Sequence, residues 1–129
     1  MKIRKETALT FDDLLLVPKR STIKSRFGGE IDISSEVVPG IKINIPIISA
    51  NMDTVSGFEL VKTMNDLGAT GIIHRFMDVQ EHYNYLKELS KPVIGCIGVG
   101  EDGRKRMEVI ADACDAILID IAHGHCDAI

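Results

Sequence analysis

The sequence predicts an α/β fold in which parallel strands alternate with helices. Three observations carry that prediction. Four apolar runs begin near residues 46, 70, 93 and 117, at intervals of 24, 23 and 24 residues, the signature of a repeated βα unit. Between the runs lie segments with apolar residues at helical spacing. Each run ends in a polar or glycine-rich cluster, so four strand tips gather at one edge of the sheet, where α/β folds bind ligands.

The central stretch is Ile45-Pro46-Ile47-Ile48-Ser49-Ala50-Asn51-Met52-Asp53-Thr54-Val55. Its apolar, β-branched half suits a strand over about 45–50, buried on both faces. Ser56-Gly57-Phe58-Glu59 has the form of a capping box, with Ser56 as N-cap of a helix over about 57–67. Gly68 is a natural residue to end it. The second strand is Ala69-Thr70-Gly71-Ile72-Ile73-His74. Asp78 caps a helix over about 79–90, on which Tyr83, Leu86 and Leu89 recur at helical spacing. The third strand spans 92–98. A helix over about 103–113 places Met107, Ile110, Ala111 and Cys114 on one face. The fourth strand runs from Ala116 to Ile121.

The first 44 residues stand outside this repeat as a β-rich N-terminal segment, leaving 45–129 for the βα units. Pro18 closes the apolar stretch 9–17 and pushes Val17 toward an extended backbone. Gly28-Gly29 breaks the chain. Ile31-Asp32-Ile33 and Ile41-Lys42-Ile43-Asn44-Ile45 alternate as short half-exposed strands, with Pro39-Gly40 as the turn between them.

Helices between successive buried strands imply a parallel sheet with right-handed crossovers. Two architectures satisfy the pattern. A doubly wound sheet closes with four or five strands. A (β/α)8 barrel needs about 250 residues, so this chain would supply its first half. The repeat stops at Asp127-Ala128-Ile129, where a fourth helix is expected to begin. A half-barrel would also leave strand edges open, inviting self-association or a partner.

Composition narrows the function classes. The chain has 129 residues, 45% hydrophobic and 26% charged, with net charge −4. That balance disfavours a non-specific nucleic-acid binder but not an anionic ligand held by backbone amides. No run approaches the roughly 20 apolar residues of a membrane span, and the charged N-terminus leads into no signal-peptide core. The odd cysteines Cys96, Cys114 and Cys126 fit no paired-ligand spacing and suit a reducing, cytoplasmic setting.

The chemistry collects at the strand tips. These carry Asn51, Met52, Asp53 and Thr54; His74, Arg75 and Phe76; Gly98-Val99-Gly100-Glu101-Asp102; and Asp120, Ala122, His123, Gly124 and His125. Asp120 interrupts an apolar strand, and a buried carboxylate needs a partner. It serves either as a salt bridge to a neighbouring loop or as an acceptor for ribose hydroxyls. Arg75 suits a phosphate, or an ion pair with Asp53 or Asp78. Met52 suits a flat ring or simple gap-filling. His123 and His125 match no firm metal motif, so no metal is expected. Nothing in the sequence sets a base beside Cys126, and no catalytic nucleophile emerges.

Four segments together resemble the IMP dehydrogenase / GMP reductase family. They are Leu9-Thr10-Phe11-Asp12-Asp13-Leu14-Leu15-Leu16-Val17-Pro18, Ser49-Ala50-Asn51-Met52-Asp53-Thr54-Val55, Gly71-Ile72-Ile73-His74 and Ile119-Asp120-Ile121-Ala122-His123-Gly124-His125. The likeness covers nearly the whole chain in the family's order. It implies the N-terminal half of a (β/α)8 TIM barrel that binds a purine nucleotide and a nicotinamide cofactor. The segment Pro18–Arg26, Asn51 and the direct junction Leu89-Ser90-Lys91-Pro92 resemble GMP reductases, since most dehydrogenases insert a regulatory pair of repeats at that junction. The resemblance thus implies conversion of GMP to IMP and ammonia with a hydride from NADPH, or NAD chemistry if the chain is dehydrogenase-like. By motif, Ala50 and Met52 would lie against the nucleotide, and Asp120, Ile121, Ala122 and Arg75 would contact the cofactor. Ser25 and Arg26 match a segment that reaches a neighbouring subunit's cofactor, implying an oligomer. The family's catalytic cysteine motif has no match among Cys96, Cys114 and Cys126. The expectation is therefore a chain inactive alone, or a non-catalytic nucleotide-binding half that assembles with a C-terminal partner.

Overall fold

The structure, a computed structural model, describes residues 5–25, 27 and 31–129. It divides into two compact units, Met1–Ile31 and Asp32–Ile129. Within the first, among the described residues, one 3-10 turn, Phe11–Asp13, is held where the Thr10 amide and hydroxyl both donate to Asp13 Oδ2, at 2.8 and 3.0 Å. Beyond it the backbone is extended or irregular, and Phe11, Leu15, Leu16 and Val17 are exposed.

The second unit opens with an antiparallel hairpin, β1 (Ser35–Val38) and β2 (Ile41–Ile43). Gly40 takes the positive φ of +86° that the turn requires, and its amide donates to Glu36 Oε1 at 2.6 Å. The strand expected at Ile31–Ile33 does not form. Asp32 Oδ1 accepts the Ser34 amide at 2.8 Å, a local Asx turn that competes with ladder pairing, so the strand starts at Ser35.

The βα units follow: β3 (Ile48–Ser49), α1 (Phe58–Asp66), β4 (Thr70–Gly71), α2 (Val79–Glu88), β5 (Ile94–Ile97), α3 (Gly100–Ile110) and β6 (Ala116–Ile119). β3 pairs in parallel with β4, and β5 with β6. A parallel bridge from Ile72 to Ile94 joins the two pairs. The parallel order β3-β4-β5-β6 is therefore the sequential order of βα repeats.

Two apolar layers hold it. Val61, Ile73, Leu86, Leu89, Val93, Ile97, Ile110 and Ala113 form one. Ile72, Ile94 and Cys96 form the other, with Val37 and Leu118 packed against it. Residues of β5 alternate between the layers, as a strand covered on both faces must.

Several element boundaries depart from the sequence pattern. The second strand, expected over Ala69–His74, contracts to Thr70–Gly71, with a bridge at Ile72 beyond it. Ser56 does not cap α1; Gly57 occupies the N-cap without a side-chain bond. The buried Ser56 hydroxyl instead donates to the Ala50 carbonyl and lies 2.7 Å from Ser49 Oγ, tying the end of β3 to the start of α1. The strand expected over 45–50 contracts to Ile48–Ser49, with Ile47 and Ile48 exposed, because β4 is its one neighbour among the described residues. α3 begins three residues early, so Glu101 and Asp102 form its first turn, where carboxylates complement the helix dipole. Asp78, by contrast, caps α2 as expected, accepting the Gln80 and Glu81 amides. Among the described residues no helix is long and apolar enough to cross a membrane.

Candidate functional site

The strand tips do converge. The tip of β3 reaches β5: Asn51 Nδ2 lies 3.5 Å from Cys96 Sγ. The segment after β4 reaches the end of β6: Arg75 Nε donates to Asp120 Oδ2 at 2.8 Å. Asp120's own amide donates to the Ile97 carbonyl, also at 2.8 Å. Arg75 thus pairs with neither Asp53 nor Asp78 but with the carboxylate two strands away. Sequence reasoning treated the two as separate candidates; their pairing satisfies both.

Arg75 is held from three sides. Besides Asp120, its guanidinium carbon lies 4.6 Å from the Phe76 ring centroid. It also covers Gly98, where a Cβ would come within 3.3 Å of that carbon. Behind Gly98 sits α3. A Cβ on Gly103 would collide with the Gly98 carbonyl, so only glycine lets the helix approach this closely. Arg75, Gly98, Val99, Asp102, Gly103, Arg106 and Asp120 line a cavity of about 290 Å³. The pair keeps about a third of each side chain exposed and so remains open to a ligand.

Other expected residues are placed as follows. Ala50 and Met52 lie exposed on a tight turn, the Met52 carbonyl accepting the Val55 and Ser56 amides. Ile121 is half-buried and Ala122 exposed just past Asp120. Ser25 is exposed, its hydroxyl accepting the Phe27 amide. It belongs to the first unit, whereas Asp120 belongs to the second. Arg26 falls outside the described residues. The His123 and His125 rings meet edge to face at 6.3 Å. Among the described residues no group of three or more His, Cys, Asp or Glu gathers.

Cys96 and Cys114 are not poised as nucleophiles, and Cys126 is exposed past the end of β6. Burial pushes the Cys96 thiol up, only partly opposed by Asn51, and burial also raises Cys114. A raised thiol disfavours the reactive thiolate.

Two residues escaped the sequence reading. His82 is fully buried on α2, and Arg106 of α3 contacts it. The signal was present in the spacing: 82, 86 and 89 form a helical stripe as regular as one through Tyr83. Burial first, then the charge of Arg106 and the neighbouring His74, lower the His82 imidazole to about 4.

Comparison with known proteins identifies the family. Residues 8–129 match the family model described as the IMP dehydrogenase / GMP reductase domain. The chain belongs to the IMP dehydrogenase / GMP reductase family. It is 46% identical over 83 residues to an inosine-5'-monophosphate dehydrogenase of Nitrosopumilus maritimus, covering 64% of this chain and 17% of that protein. A GMP reductase of Vibrio vulnificus aligns over 136 positions at 34% identity, covering 97% of this chain and 38% of the relative. In structure it resembles the inosine 5' monophosphate dehydrogenase of Legionella pneumophila, with TM-score 0.82 and 35% identity over 95% of this chain and 38% of that one. That match is consistent with a partial barrel. The chain spans well under half the length of these relatives.

Proposed function

We propose that this chain is the N-terminal part of a GMP reductase-type enzyme, comprising four βα units of a TIM barrel. In this reading it contributes half of a site that reduces GMP to IMP and ammonia with NADPH in cytoplasmic purine metabolism. One observation carries the choice of reductase. The junction from α2 to β5 is direct, with Glu88 ending one element and Ile94 starting the next. The Vibrio vulnificus reductase aligns in sequence along 97% of the chain, and dehydrogenase sequence alignments of higher identity cover 64–74% of it. In structure, however, the match to the Legionella pneumophila dehydrogenase covers 95% of the chain, so the junction and not coverage carries the choice.

The cofactor fits the residues present. Asp120 can accept ribose hydroxyls while Arg75 supplies guanidinium donors to a phosphate. The 290 Å³ cavity beside them is at the small end for ligand sites, sized for part of a dinucleotide. NADPH would supply the hydride; Asp120, Ile121, Ala122 and Arg75 would orient it. Ala50 and Met52, on the turn after β3, would lie along the purine. Ser25 and Arg26 would act on a second subunit, as an oligomer requires. Cys96 is buried and Cys114 half-buried, both with raised thiols, and the exposed Cys126 does not match the family's catalytic motif. In this reading, covalent chemistry on the purine therefore falls to a cysteine from a partner.

The test is NADPH oxidation in the presence of GMP, by the purified chain alone and after mixing with the C-terminal portion of a GMP reductase. The reading expects no turnover alone and turnover on mixing. NAD reduction with IMP, in place of NADPH oxidation, would favour a dehydrogenase. Turnover by the chain alone would overturn the assignment of the reactive cysteine to a partner.

A further inference from the structure

The inner face of α3 carries Gly103, Arg106 and Ile110 at i, i+3 and i+7, a helical stripe. Gly103 and Ile110 are buried, and Arg106 is half-buried. Ile110 belongs to the apolar layer and Gly103 abuts Gly98. Arg106 makes two contacts across to the neighbouring unit. Its Nη2 donates to the Met77 carbonyl at 2.8 Å, and its Nη1 lies 3.3 Å from His82 Nδ1.

Arginine has donors only, so His82 Nδ1 must be the acceptor and Nε2 must carry the ring proton. Nε2 is buried with no hydrogen-bond partner among the described residues. A buried ring nitrogen without a partner is unusual. Here the ring commits its single acceptor to Arg106 and leaves its donor unmatched.

We infer that Arg106 is a positioning residue for the Arg75–Asp120 pair. Met77 is two residues beyond Arg75, and Phe76 between them stacks on the Arg75 guanidinium. By gripping the Met77 carbonyl and the His82 ring, Arg106 fixes the stretch from Met77 to His82, where the segment after β4 enters α2. Gly103, one turn earlier on the same face, sets the height of Gly98, over which Arg75 lies. α3 therefore positions Arg75 by two routes, through Met77 above and Gly98 below. Arg106 lines the same cavity as Arg75 and Asp120, so its displacement would reshape that cavity as well as the segment.

Nuclear magnetic resonance on the isotope-labelled full chain tests this. The Arg75 Nε–H, bonded to Asp120, should give a resolved, slowly exchanging signal, assigned by its loss in Arg75→Lys. In Arg106→Met that signal should broaden or exchange fast, while the amide spectrum of the core persists. In Arg106→Lys, whose ammonium lacks the two-pronged reach, it should be intermediate. An unchanged Arg75 signal in either folded variant overturns the inference, and the milder lysine variant decides if the methionine variant does not fold. A second arm rests on the proposed cofactor reading. NADPH binding should weaken roughly 2- to 30-fold in Arg106→Met, the range of coupling through intervening residues. If the wild type binds no NADPH while its Arg75 signal still responds to Arg106→Met, the cofactor reading fails and the positioning role stands. If the wild type binds and the variant binds equally, with its Arg75 signal intact, the positioning role fails.

Discussion

Strands β3 and β5 have similar sequences and opposite environments. Ile45-Pro46-Ile47-Ile48 and Val93-Ile94-Gly95-Cys96-Ile97 are both apolar, β-branched runs that end in a polar or glycine tip. Every residue of the second run is buried, whereas Ile47 and Ile48 are 58% and 43% exposed. The difference lies in the neighbours. β5 is bonded to β6 and bridged to Ile72, with an apolar layer on each face. β3 has β4 alone among the described residues. Apolar sequence thus specifies a strand's suitability for burial, and the adjoining elements decide whether burial occurs.

The sharpest way to break this comparison is truncation on each side of it. Ile97→Ala removes a buried β5 side chain of the layer that holds Val61, Leu86 and Ile110 and should cost about 2–5 kcal/mol. Ile48→Ala should cost under about 1 kcal/mol in this chain. Denaturant midpoints of the two variants would show the contrast, and equal losses would mean that β3 is covered in solution.

The buried side also carries a proton-linked term. His82 is held near 4 by burial first, then by Arg106 from α3 and His74 from the segment after β4, against 6.5 for a solvated imidazole. The unfolded chain therefore binds this proton more readily than the folded one. Stability is unaffected above about 6.5 and falls as the pH drops from there toward 4, by on the order of 2–3 kcal/mol. His82→Leu should flatten that part of the stability–pH profile, measured by urea unfolding. A profile identical to the wild type would show that other groups set the acid response.

Smaller effects divide the α1 entrance. Ser56→Ala leaves the Ala50 carbonyl without the Ser56 hydroxyl and should cost about 1–2 kcal/mol. Glu59→Ala should cost less, about 0.5 kcal/mol or under, because Glu59 acts on α1 through the helix dipole and not through a capping bond. The reverse ranking would restore the capping box read from the sequence.

Much of the fold was legible because periodicity reports repeated units directly. The order of strands and helices, the Asp78 cap and the Gly68 stop at φ +89° all follow from local residues. Ser56 was misread because its hydroxyl has two competing local uses, and sequence spacing favours the helix amide over the strand carbonyl. The Arg75–Asp120 pair was invisible for a different reason. The residues are 45 apart, and only the βα repeat brings their tips together. His82 and Arg106 were missed because a polar residue on a buried stripe looks like a solvated one until its partner on another helix is known.

As proposed, the strand tips form half of a nucleotide site. Calorimetric titration of NADPH into the purified chain, beside Asp120→Asn, tests that most directly. Saturable binding that weakens at least about tenfold in the variant, a loss of roughly 1.4 kcal/mol, is the result expected. No binding by the wild type, or equal binding by both proteins, would contradict it.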